Sequence, residues 1–222
     1  MKNFNTKRFF GFTLAEVLVT LAIVGVVAAL TIPSLMQANQ KRVFTNQLKK
    51  AVSEVSQAIA NGMEDRHAAN LYESKLIRED AFQLFEHYLK VTRSGRNDSA
   101  SYSCFYNGYY DKLNGSQGEY GTNFSGSSCD TYTCGYYPTW AQLKDGVCVA
   151  IRPDYNHRTA YLYIDVNSKQ GPNIEGRDLF GAYINERGEI GPLSSCYNCD
   201  SSRLRWYHAF YSILRDGWEM KY

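Results

Sequence analysis

No charge of either sign dominates this chain. Its 24 basic and 22 acidic residues leave a formal net charge of +2 over 222 residues. A protein that binds nucleic acid mainly by electrostatics carries a basic excess or stripe, so the balance argues against that class. Catalytic signatures are missing as well. There is no G-x-S-x-G, no H-E-x-x-H and no phosphate-binding glycine loop. The Asn114–Gly121 stretch, NGSQGEYG, has glycines but neither the strand before it nor the helix after it that a phosphate loop needs, and it reads as a turn. The four histidines, His67, His87, His157 and His208, are scattered. No catalytic constellation emerges, and the chain reads as a non-enzyme. It has no internal repeat and no sharp boundary between two folded domains.

Cysteine is absent from the first hundred residues. All six cysteines fall in the later part: Cys104, Cys129, Cys134, Cys148, Cys196 and Cys199. An even number in an exported domain reads as a set of disulfides. Cys129–Cys134 and Cys196–Cys199 would close short loops, which leaves Cys104–Cys148 to tie a loop to a strand. Two other readings are weaker. Zinc would need a second pair at knuckle spacing, and Cys129 and Cys134 are too loosely spaced for it. A redox role for Cys196-Tyr197-Asn198-Cys199 would need a helix start in a βαβ setting, which the surrounding pattern does not offer.

The most informative segment is apolar. From Phe12 to Met36 the only charged residue is Glu16. About 20 predominantly apolar residues suffice to span a bilayer as a helix. A bare carboxylate there costs roughly 2.5–3.5 kcal/mol on insertion scales, so Glu16 needs a partner. An ordinary secretory signal has a shorter apolar core ending in small residues, whereas this run continues and has no A-x-A at its end. A plain anchor would explain the run but not the carboxylate.

Gly11-Phe12-Thr13-Leu14-Ala15-Glu16, the apolar run, Gly25 and Pro33 resemble the N-terminus of type IV pilins and pseudopilins. A basic leader, Met1–Gly11 with Lys2, Lys7 and Arg8, completes the pattern. Ala15 and Thr20 stand where bulkier aliphatics are common in that family. The resemblance covers about the first 45 residues. It implies cleavage by prepilin peptidase between Gly11 and Phe12, N-methylation of Phe12, and packing of the helix into a filament core. Glu16 and Pro33 would be its assembly residues. The new amine on Phe12 of one subunit would neutralise Glu16 of a neighbour. Other pilin or pseudopilin subunits, the peptidase, an inner-membrane assembly platform and membrane lipid are the implied partners. The implied location is a single-pass inner-membrane protein whose head is exported to the periplasm and later carried in a filament. Loss of the leader would leave 21 basic against 22 acidic residues, a net −1.

The organisation follows as residues 1–11 leader, 12–36 membrane and assembly helix, 37–62 amphipathic continuation, and 63–222 head. Phe44, Leu48, Ala51, Val52, Val55 and Ile59 recur at spacings of three and four, one face of a helix, with Lys41, Lys49, Lys50, Glu54 and Gln57 opposite. A continuous helix from Phe12 to Asn61 would run about 75 Å at 1.5 Å per residue. Pro33 should kink it, and Gly62 reads as its C-terminal stop. A second helix is expected within 66–91, with Leu76, Ile77, Phe82, Phe85 and Leu89 as its stripe. Residues 92–101 read as a polar loop and 102–136 as irregular, pinned by disulfides. Strands are expected at 146–152, 159–166 and 179–185, the last turning through Glu186-Arg187-Gly188 into Glu189-Ile190. The fold class is α+β, with a small antiparallel sheet laid on the amphipathic half of the first helix.

Two stretches of the head carry candidate chemistry. Asp165, Asn167, Asn173 and Asp178 supply hard oxygens at loop spacing, which suits calcium. Lys169 falls where a ligand should be and no Glu closes the loop, so a Gly-Pro-Asn turn between strands is the favoured reading. Arg203, Arg205 and Arg215 interleave with Trp206, Tyr207 and Tyr211, residue types that can stack on single-stranded nucleic acid. A helix with an aromatic core face and solvated arginines is the simpler account. Sequence leaves open a second role, that of a minor pilin with an adhesive or DNA-uptake function.

Overall fold

The computed structural model describes residues 11–77, 81–95, 103–120, 138–154, 158–193 and 204–222. Helix α1 (Leu14–Asp65) comes first. Two short helices follow, α2 (Leu71–Ser74) and α3 (Ala81–Tyr88). Then come eight strands: β1 (Val91–Gly95), β2 (Tyr109–Asp111), β3 (Gln117–Tyr120), β4 (Thr139–Leu143), β5 (Cys148–Pro153), β6 (Ala160–Asp165), β7 (Leu179–Ile184) and β8 (Ile190–Pro192). Helix α4 (Trp206–Arg215) closes the order. The chain divides into two compact units, one up to Gln40 and one from Lys41 to Tyr222.

The second unit is the α+β head. Its main sheet is antiparallel throughout, in the order β1-β4-β5-β6-β7-β8, and β2-β3 form a separate pair. The face of α1 that the 3-and-4 spacing marks out is the buried one: Phe44, Leu48, Ala51, Val52, Val55 and Ile59. It packs against Val149 and Ile151 of β5, Leu162 and Ile164 of β6, and Ala182 and Ile184 of β7. Each fully buried aliphatic of this size stabilises the head by about 1.5–3 kcal/mol relative to exposure. Amphipathic periodicity in α1 thus fixes which side of the sheet becomes the core.

The opposite sheet face is covered too. Cys148, Ala150 and Tyr163 point there and meet Trp140, Leu179, Cys104, Phe105 and Tyr110. Cys104 and Cys148 form a disulfide that fastens the 103–110 segment onto β5. With both faces buried, β5 loses the apolar-polar alternation of a half-exposed strand.

Several boundaries differ from the sequence reading. Helix α1 passes through Gly62 and continues to Asp65, so Gly62 does not end it. A Cβ at Gly62 would lie 2.8 Å from Leu76 Cδ1, so this glycine permits close packing of the next segment. The expected single helix at 66–91 is two helices. Lys75 takes a left-handed conformation (φ 56°), and its N–H donates to Tyr72 O, ending α2. Asn70 starts α2 by accepting from Glu73 N at 2.9 Å. Residues 92–95, expected as the start of a loop, belong with Val91 to β1, an outer strand whose polar side chains beyond Val91 need no core. Strand β4 and the β2–β3 pair were not expected at all.

Candidate functional site

The apolar stretch is built from the first turn upward. Thr13 precedes the first helical residue, and its side chain and that of Glu16 bond reciprocally. Thr13 N donates to Glu16 Oε2 at 2.8 Å and Thr13 Oγ1 donates to the same oxygen at 2.9 Å. Glu16 N donates back to Thr13 Oγ1 at 3.2 Å. This is a capping box, Thr at the cap and Glu three residues on. It gives the carboxylate two donors where the neighbouring side chains offer none. The other hydroxyls of the stretch are satisfied within the helix: Thr20 donates to Val17 O, Thr31 to Val27 O and Ser34 to Thr31 O. The aliphatics are exposed all along, from Phe12 and Leu14 to Leu35 and Met36. Pro33 sits inside the helix. By length and composition this helix is able to cross a membrane.

In the head, the four candidate calcium residues are gathered by the β6–β7 connection. Asp165 ends β6 and Asp178 directly precedes β7, and both are fully buried. Each of their four carboxylate oxygens accepts a hydrogen bond. The Tyr110 hydroxyl donates to Asp165 Oδ2, and Asn167 N donates to Asp165 Oδ1 at 3.2 Å. Asn173 N and Ile174 N donate to Asp178 Oδ2 and Oδ1 at 2.6 and 2.7 Å. The Asn167 side-chain amide spans the turn to Gln170 O and Gly171 O. Asn167 Oδ1 and Asn173 Oδ1 are buried without a donor. Burial, reinforced by the charge of Asp178, pushes the Asp165 carboxyl well up from its ordinary value. Burial also pushes Asp178 up, to about 6, against the backbone N–H groups that favour its ionised form. These hydrogen bonds close the turn that carries the chain from β6 to β7.

Residues 6–32 match the prokaryotic N-terminal methylation motif. The chain carries a prepilin-type signal, that of type IV pilins and pseudopilins. No curated protein and no solved structure matches the chain. The motif runs into the apolar part of α1 and includes Gly11, Phe12, Thr13 and Glu16.

The remaining candidates of this prepilin-type chain separate cleanly. Cys104 and Cys148 are paired, as the short-loop assignment of the others would leave them. Cys129, Cys134, Cys196 and Cys199 lie outside the described residues, and so do Arg203 and His157. Arg205 is held by Glu175: Nε to Oε2 at 2.5 Å and Nη2 to Oε1 at 3.3 Å, with Glu119 Oε2 at 3.7 Å. Arg215 pairs with Asp216 at 3.0 Å. Trp206 packs edge-on against Tyr163. Arg205 and Trp206 are therefore engaged with the head itself, while Arg215 pairs with the residue next to it. Sequence reasoning missed Glu175, a fully buried carboxylate, since nothing in its neighbours marks it. It also missed Thr13, although the T-x-x-E spacing was a usable signal.

Proposed function

We propose that the protein is a structural subunit of a type IV pilus or type II secretion pseudopilus. Prepilin peptidase cuts it between Gly11 and Phe12 and Phe12 becomes N-methylated. The head is exported, α1 holds the subunit in the inner membrane, and the same helix then packs among its copies in a filament.

One observation carries this reading. Glu16 is the only charged residue from Phe12 to Met36, in a helical stretch whose aliphatics lie exposed. An exposed apolar surface of this extent marks a lipid or subunit interface. An anion within it is costly unless a cation meets it. Cleavage after Gly11 supplies that cation four residues away, on every subunit. A tethering anchor would lose nothing by having leucine at position 16. A filament whose register is set by amine–carboxylate pairs would lose its assembly.

The test is the Glu16→Leu variant in the producing cell. Processing to a methylated Phe12 and membrane insertion should persist, while recovery in sheared filaments should fall to background. Breaking a buried ion pair costs about 3–5 kcal/mol, and the loss recurs at each subunit contact. A mature N-terminus other than methylated Phe12 would overturn the processing step, absence of the wild type from filaments would overturn the subunit assignment, and normal filament yield from the variant alone would overturn the amine–carboxylate pairing.

A further inference from the structure

We propose that Thr13 is a positioning residue for assembly, one that turns the Glu16 carboxylate so that a single oxygen is left for the incoming amine. This rests on the filament reading above.

Both donors of Thr13, its amide and its hydroxyl, converge on Oε2 of Glu16. Among the described residues no donor reaches Oε1. The carboxylate is therefore held with one oxygen spent and one open. In apolar surroundings an unheld glutamate would sample several rotamers and pay for ordering at the moment of contact. The capping box removes that cost beforehand, because it fixes the side chain against the start of its own helix. It also makes the subunit tolerable in a bilayer before a neighbour arrives, since two donors already face the anion. Every atom of the box lies on the mature side of the Gly11–Phe12 bond. Cutting leaves the box intact and adds an amine one residue before it. The threonine hydroxyl is needed in both directions, as donor to Oε2 and acceptor from Glu16 N. Serine preserves this and valine, of the same shape, does not.

The experiment uses full-length Thr13→Val, Thr13→Ser, Glu16→Gln and the double variant Thr13→Val/Glu16→Gln, each co-expressed with wild type. Mature N-terminal mass, membrane fraction and share of protein in sheared filaments are measured. Thr13→Val should be cut, methylated and inserted, and its filament share should fall about tenfold, the scale of one lost cap. Thr13→Ser should stay within about twofold of wild type on the same scale. The double variant should assemble no worse than Glu16→Gln, because Thr13 acts through the carboxylate. Normal assembly of Thr13→Val beside failure of Glu16→Gln would overturn the positioning role and leave the filament reading standing. Normal assembly of both would overturn the amine–carboxylate pairing through which Thr13 is said to act, and absence of the wild type itself from filaments would overturn the filament reading. A further drop in the double variant, a Thr13→Ser defect equal to that of valine, or loss of cutting or insertion in Thr13→Val would each place the role of Thr13 elsewhere.

Discussion

Tyr110 and Asp165, 55 residues apart in sequence, meet inside the head, where the phenol donates to the carboxylate. Tyr106 N in turn donates to the Tyr110 oxygen at 3.2 Å. Strand β2 is thereby bound to the end of β6 by a polar contact with no access to water. Burial pushes the Tyr110 hydroxyl well up, and the Asp165 charge pushes it further in the same direction.

The Asp165–Asp178 pair makes the head sensitive to pH in a defined sense. Both carboxyls titrate higher in the folded chain than the ordinary value near 3.9 of an unfolded one. The folded state therefore holds protons that the unfolded state has released. Stability from this source is fully present below about pH 4 and is lost as pH rises through about 6, where Asp178 titrates. Other carboxylates of the head impose their own slopes, so the comparison is between wild type and Asp178→Asn. Urea unfolding at intervals from pH 4 to 8 should show the wild type losing stability relative to the variant as pH rises. Parallel profiles would refute the assignment. Repeating the series with calcium and with chelator tests the metal reading directly: a turn closed by its own hydrogen bonds keeps the same midpoints in both.

Arg205 should be the most damaging single charge to remove. It is the cation beside the fully buried Glu175, whose Oε1 also accepts from Glu119 N at 2.6 Å. Arg205→Met leaves that carboxylate buried without a counter-charge, at a cost of about 3–5 kcal/mol. Arg205→Met with Glu175→Leu should recover most of it. Chemical denaturation of the two variants decides the point, and equal loss in both would mean the damage comes from packing at the start of α4.

The Cys104–Cys148 bridge closes a span of 44 residues. Chain-entropy arguments put its contribution at about 4 kcal/mol. The Cys104→Ser/Cys148→Ser variant should unfold at correspondingly lower denaturant, and reducing the wild type should lower its midpoint at least as far, because reduction also opens any bridge among the other four cysteines. A wild-type midpoint that does not move on reduction would contradict a stabilising role.

The parts of the fold legible in sequence were those with a period. Leu48, Val52, Val55 and Ile59 announced the buried face of α1, and Tyr161-Leu162-Tyr163-Ile164 announced β6. Elements without a period were missed. Strand β4, TWAQL, is buried on both sides, so its pattern does not alternate. Strand β1 is polar and exists because β4 pairs with it through a shifted register at Val91/Arg93. Gly62 illustrates a different limit. A glycine at a helix end and a glycine under a neighbouring leucine look alike until Leu76 is placed against it. Near the N-terminus, Glu16 stood out at once because a single charge in an apolar run is conspicuous, and Gly11 and Phe12 lie beside it within the matched methylation motif. Thr13 did not, because a threonine there is unremarkable until its hydroxyl is seen on the carboxylate.

The outer strands of the main sheet have a consequence for crowding. β1 is polar and irregular in register, and β8 is three residues long and ends in Pro192, which has no N–H to offer. Polar, irregular or proline-bearing edges resist strand addition from another molecule. Were the chain packed in a filament as proposed, its sheets would have constant chances to join edge to edge. Here the two edges of the main sheet offer poor templates, so a filament of the kind proposed would gain little from joining its heads strand to strand and would depend on the exposed apolar helix.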